Sequence, residues 1–140
     1  MEITDQYLTF VMNAEKYAIP VINVREVLEV PRITRIPRMP PFMRGVFNLR
    51  GSVVPVLDLR MKFEMGETPL SPTTAIIVVE LPVEDDGSVL CVGVFADEVH
   101  KVLSIEADSI EPPPKIGMSI QTDFIQGMGH VEDGFVVILN

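Results

Sequence analysis

The chain has 140 residues, 47% of them hydrophobic, which suffices for one ordinary domain or for two very small barrels with a core. Its formal net charge of −9 argues against a nucleic-acid partner, whose phosphates demand a basic surface. One cysteine, Cys91, rules out an internal disulfide, and no apolar run approaches the ~20 residues that span a bilayer. The opening MEITDQYLTF lacks the basic start and apolar block of a signal peptide, so a cytoplasmic protein without direct membrane insertion is expected.

Strand signals fill the chain from the start. Residues 7–12 alternate, with Leu8, Phe10 and Met12 on one face, and a turn at Asn13-Ala14-Glu15 leads into a second run over 17–21. Residues 42–60, FMRGVFNLRGSVVPVLDLR, hold the apolar runs GVFNL and SVVPVL on either side of Arg50-Gly51, which reads as strand, tight turn, strand. A further hairpin spans 74–81 and 88–95 around the acidic turn Glu84-Asp85-Asp86-Gly87, where Asp-Gly supplies the positive φ of a tight turn. Cys91, in VLCVGVF, reads as a small core residue rather than a nucleophile. The last hairpin joins 127–131 to 135–139 through Glu132-Asp133-Gly134. Prolines punctuate the remainder, and helical periodicity never lasts beyond about two turns. The fold class is therefore all-β.

Two constant offsets indicate an internal duplication. Ala18, Ile19, Val24, Val27, Leu28 and Pro37 match Gly93, Val94, Val99, Val102, Leu103 and Pro112 at a spacing of 75. Phe42, Gly45, Val56 and Leu57 match Phe124, Gly127, Ile138 and Leu139 at 82. Apolar residues align by chance easily, but paired Gly, Pro and Phe at fixed offsets do not. The expected organisation is a single domain over 1–140 with two pseudo-duplicated subdomains, 14–72 and 73–140, and the strand 6–12 shared between them. Charge follows a different division. Residues 25–62 carry eight basic and three acidic side chains, a net of +5, leaving −14 on the rest. That dipole is either a scatter of solvated arginines or the signature of a protein that docks in a fixed orientation.

The stretches YAIPVINVREVLEV, ITRIPRMPPFMRGVFNLRGSVVPVLDLRMKF, VGVFADEVHKVLSI, IEPPP and FIQGMGHVEDGFVVIL together resemble a CheW-like domain over nearly the whole chain. The NLRG element at residues 48–51, with its VPVLDLR continuation, is the most distinctive part. The resemblance implies two SH3-like five-stranded β-barrels packed together. It also implies a non-enzymatic adaptor that ties the histidine kinase CheA to the cytoplasmic tips of chemoreceptors, recruited to membrane-associated receptor arrays. No cofactor is implied.

The same resemblance assigns roles. Arg50 is the arginine of NLRG and Glu26 stands where the family has its acidic partner, so an Arg50–Glu26 ion pair is expected at the receptor-binding surface. Val24 and Val102 match apolar positions of the groove between subdomains in which a receptor helix tip lies; from sequence alone either is equally a core residue. The regulatory domain of CheA is itself CheW-like and is expected on the first subdomain, at Gly45, Val53 and Val56. Met39, Met43, Met61 and Met65 surround this region, as core filler or as an adaptable contact. The duplication adds one expectation of its own: it carries Glu26 onto Lys101 and Arg50 onto Glu132, a charge-reversed second pair.

The competing class is a small β-barrel enzyme or ligand-binding protein, which needs a polar pocket with converging titratable groups. His100 and His130 have no second ligand at zinc spacing, and Asp85, Asp86 and Asp133 belong to turns by their glycine neighbours. No phosphate-binding glycine loop or nucleophile motif occurs, so no metal or catalytic residue is assigned.

Overall fold

The computed structural model describes residues 4–62, 66–82, 89–106, 109–111, 125–131 and 134–139. Eleven strands appear in chain order: β1 Thr4–Met12, β2 Glu15–Pro20, β3 Val24–Glu29, β4 Met43–Leu49, β5 Ser52–Leu57, β6 Ala75–Pro82, β7 Val89–Ala96, β8 Glu98–Glu106, β9 Ile110–Glu111, β10 Ile125–Val131 and β11 Gly134–Leu139. A single helical turn, α1 Leu59–Lys62, follows β5. Two sheets result, in the orders β8-β1-β2-β11-β10-β9 and β3-β6-β7-β5-β4, which build the two SH3-like subdomains. The first has six strands rather than five because the two-residue β9 adds to its edge.

Local chemistry explains the hairpins. Asn13 and Ala14 between β1 and β2 have φ of 53° and 66°, and Arg50 and Gly51 between β4 and β5 have 50° and 91°. Two successive left-handed residues make the turn whose twist matches the flanking strands. β6 pairs with β7 and β10 with β11, antiparallel, as expected; the turn residues 84–87 and 132–133 lie outside the described residues.

The sheets do not divide the chain at 72/73. β1 and β2 join β8–β11, while β6 and β7 join β3–β5, so each subdomain takes two strands from one half and the rest from the other. The cause lies at the connections. After β2 the chain makes only the 3-10 turn Val21–Asn23 before β3, and after β7 only Asp97 before β8; neither link turns back into its own sheet.

The register carries the duplication through this exchange. Ala18 pairs with Ile138 and Gly93 with Val56, both in parallel junctions, and these are matched positions of the two halves. Likewise Val24, Val27 and Leu28 on β3 face Val79, Ile77 and Ile76 on β6, while Val99, Val102 and Leu103 on β8 face Phe10, Leu8 and Tyr7 on β1. Even the irregularities repeat: β4 slips register between Met43 and Gly45, and β10 between Ile125 and Gly127.

Three apolar clusters hold this together. Phe47, Leu49, Val54, Val56, Ile76, Val78 and Phe95 fill the five-stranded subdomain, and Tyr7, Ala18, Ile105, Val136 and Ile138 fill the other. Leu8, Phe10 and Met12 pack with Tyr17, Ile77, Val94 and Leu139 in a third cluster between the sheets, so the face assigned to them by alternation is the inter-sheet face. Strands β1, β2, β6 and β7 are thus covered on both sides. Burial of each large side chain contributes about 1.5–3 kcal/mol.

Candidate functional site

Arg50 reaches Glu26 with both terminal nitrogens, at 2.7 and 2.9 Å from the two carboxylate oxygens. The turn aims it. Gly51 donates its backbone N–H to Asn48 Oδ1 at 2.7 Å, which fixes the turn that projects Arg50 from the tip of the β4–β5 hairpin. Glu26 stands on β3, at the opposite end of the same sheet from β4, so the ion pair spans the seam where the two edges of the subdomain meet. The arginine side chain is 68% exposed and the glutamate 20%.

Hydrogen bonding to Arg50, reinforced by the charges of Arg50 and Arg25, outweighs partial desolvation and holds the Glu26 carboxyl below its ordinary value. The same hydrogen bonds raise the Arg50 guanidinium. A lowered carboxyl means that the unfolded chain takes up this proton first as the pH falls. The pair therefore acts in full above the ordinary glutamate value of about 4.3 and is lost as the pH drops through the lowered folded value. Asn48→Ala removes the turn's acceptor without touching either charge. Its expected result is a Glu26 carboxyl titration, read by carbon NMR, that moves back up toward the ordinary value while the melting temperature holds.

Val24 and Val102 lie on different sheets and in different surroundings. Val24 is half-buried against the inter-sheet cluster, as is its repeat mate Val99. Val102 is 49% exposed and its mate Val27 is 42% exposed. Where the two parallel junctions meet, an apolar groove of about 180 Å³ opens between the subdomains, lined by Ile19, Pro20, Leu59, Val79, Leu81 and Leu139 among others; neither Val24 nor Val102 lines it. Ile22, which lies between the groove residues Pro20 and Asn23, is 92% exposed. Sequence reading missed these residues. The duplication held the signal, since the repeat mate of Ile22 is Asp97, which is engaged by Arg60, Asn13 and Thr73.

The three positions assigned to the kinase surface separate. Val53 is 72% exposed on β5. Val56 is fully buried in the five-stranded subdomain and presents nothing to a partner, because period-two alternation turns Val54 and Val56 inward together. Gly45 is buried, with φ of 141°, and a Cβ there would overlap the Thr34 carbonyl oxygen, so its lack of a side chain serves an internal approach. Lys101 is exposed and its carbonyl accepts Thr9 Oγ1 at 2.6 Å; Glu132 lies outside the described residues, and so does Met65.

A second polar assembly went unread. Asp58 is fully buried, and its carboxylate accepts from Thr68 N, Thr68 Oγ1, Arg44 Nη1 and Arg60 N at 2.9, 2.6, 2.9 and 3.1 Å. Arg44 also pairs with Glu67 at 3.1 Å and lies over the Phe95 ring at 5.0 Å. All these groups are internally matched, as befits a structural network rather than a reactive one.

Among the described residues, no three His, Cys, Asp or Glu side chains gather to hold a metal, and no helix is long and apolar enough to cross a membrane. An exposed ion pair on a duplicated β scaffold and an apolar groove between its two sheets are the features a protein-binding module presents. The CheW-like domain model matches residues 6–140, and the chain belongs to that family. It is 30% identical over 138 residues to the chemotaxis protein CheW of Klebsiella aerogenes, covering 99% of this chain and 80% of that protein. Identity to the chemotaxis protein CheW of Helicobacter pylori is 33% over 134 residues, covering 96% and 77%. The crystal structure of the scaffolding protein TtCheW from Thermoanaerobacter tengcongensis superposes with a TM-score of 0.86 at 34% identity, covering all of this chain and 86% of that one. The chain is accordingly a non-enzymatic chemotaxis adaptor that couples chemoreceptors to the kinase CheA.

Proposed function

We propose that the seam around Arg50 and Glu26, together with the groove between the subdomains, receives the cytoplasmic tip helices of chemoreceptors, and that the CheA regulatory domain contacts the β4–β5 face through Val53. The bidentate, exposed Arg50–Glu26 pair carries this reading: it adds little to stability at the surface, and its value lies in presenting a fixed charge pattern to a partner. The apolar groove supplies what one face of an amphipathic helix needs, and the ion pair offers a charged contact that sets register. Val24, half-buried on β3, and Val102, exposed on β8, are the apolar positions this reading assigns to the receptor helix from the two sheets. Binding of both partners at once recruits the adaptor to membrane-associated receptor arrays.

Arg50→Ala tests the assignment. Its melting temperature stays at the parent value while affinity for a receptor-tip peptide falls, and chemical-shift mapping with the peptide and with the kinase regulatory domain gives two separate patches. Loss of folding in Arg50→Ala, or one shared patch for both partners, would overturn it.

A further inference from the structure

Residues 30–42 join β3 to β4; Val30 and Ile33 pack on the core of the five-stranded subdomain, Thr34 bridges to Val46, and the Phe42 carbonyl accepts from Asp58 N at 2.7 Å. Every residue from 34 to 41 is exposed, yet the segment includes Ile36 and Met39, 40% and 41% accessible. Its arginines also stand apart. Arg25, Arg44, Arg50 and Arg60 each have a carboxylate partner, whereas among the described residues Arg32, Arg35 and Arg38 have none. Arg38 follows Pro37 with φ of 65°. Proline and then a left-handed residue is the order of a type II turn, whose second position glycine ordinarily takes. An arginine held there is strained, and such strain concentrates where side chains are displayed for contact.

Beneath this turn, a concavity of about 240 Å³ opens between the loop, the start of β4 and α1. Ile36, Met39, Met43 and Met61 contribute its apolar lining, with Arg35 and Arg44 beside them. The space exceeds the roughly 150 Å³ that admits a benzene-sized group. Methionine walls adapt to the shape of what enters. Arg44 meets two carboxylates, Asp58 and the lining residue Glu67, so that trio carries one negative charge net, and the positive side of the opening is the loop, where Arg35 and Arg38 have no carboxylate partner among the described residues.

We propose that this face docks an acidic segment of a partner protein, with an apolar side chain in the methionine-lined concavity and adjacent carboxylates on Arg35 and Arg38. Charge selects a short protein segment over an extended anionic surface. Outside residues 25–62 the chain carries −14, so a lipid bilayer or nucleic acid meets repulsion from most of the molecule, while a single segment meets only the local basic loop. The face does not include Arg50, whose guanidinium Glu26 occupies, and the inference does not rest on the receptor-docking assignment.

Titrating the isotope-labelled chain at about 50 mM salt with the capped peptide Glu-Asp-Leu-Glu-Asp-Leu tests it. The expected result is movement of the Ile36, Arg38 and Met39 amides and the Met43 and Met61 methyls, with affinity weakened by about 200 mM salt. The uncharged peptide Gln-Asn-Leu-Gln-Asn-Leu and the leucine-free Glu-Asp-Ser-Glu-Asp-Ser bind about tenfold more weakly. The double change Arg35→Glu with Arg38→Glu keeps the melting temperature, since both positions are exposed, and loses the acidic peptide by a similar factor. Equal binding of the leucine-free peptide, shifts centred on Arg50, or binding to phosphatidylglycerol vesicles in preference to the peptide would each overturn the proposal.

Discussion

Replacing Asp58 with alanine is expected to destabilise the fold by about 3–5 kcal/mol, because Arg44 keeps only the exposed Glu67 and three further donors lose their acceptor. In a domain of this size that lowers the melting temperature by roughly 10 °C or more. The substitution strips Arg44 of its inner carboxylate and leaves Thr68 N, Thr68 Oγ1 and Arg60 N without their acceptor. Asp58→Asn offers no escape, since an amide nitrogen replaces one of two oxygens that both accept hydrogen bonds. Urea or thermal unfolding reads the effect, and a change below about 1 kcal/mol would show that water reaches these groups.

Gly45→Ala is the second large effect, at about 2–4 kcal/mol from left-handed strain and overpacking combined. The added methyl would meet Ile33 Cγ2 at 2.8 Å and overlap the Thr34 carbonyl oxygen, which accepts from Val46 N at 2.9 Å. The loop over residues 30–42 would then lose its β-bridge to the sheet. Weakened kinase binding in such a variant reports this displacement, so unfolding must be measured beside it. A variant that binds poorly at unchanged stability would instead restore Gly45 to the contact surface.

What the sequence made legible follows range. Hairpins were readable because their signals are local: Asn13-Ala14 and Arg50-Gly51 both sit between β-forming runs. The duplication was readable because matched residues keep their spacing whatever they pair with. The exchange of strands was not, since Tyr17 with Val137 and Leu57 with Val94 are registers between distant segments that no window contains. The faces of β5 were hidden for another reason. SVVPVL has apolar residues on both sides, so nothing distinguishes exposed Val53 from buried Val56. Asp58 went unread for want of any local signal: nothing in VLDLR marks the carboxylate as buried, since Arg44 and Thr68 close over it from other segments. The Arg50–Glu26 assignment came through family resemblance, because a lone arginine in a turn does not name its partner.

The exchange of strands between subdomains also governs when the molecule can fold. β2 acquires its parallel neighbour only when Val137 and Ile138 exist, and β1 its other edge only when β8 does. The first half of a nascent chain can close the β1–β2 and β4–β5 hairpins on the ribosome but cannot complete either sheet. Contacts this distant in sequence slow the final step and leave apolar strand edges open meanwhile. For this adaptor, synthesis and assembly are separate events, and the interval between them is when the chain depends on protection from its neighbours.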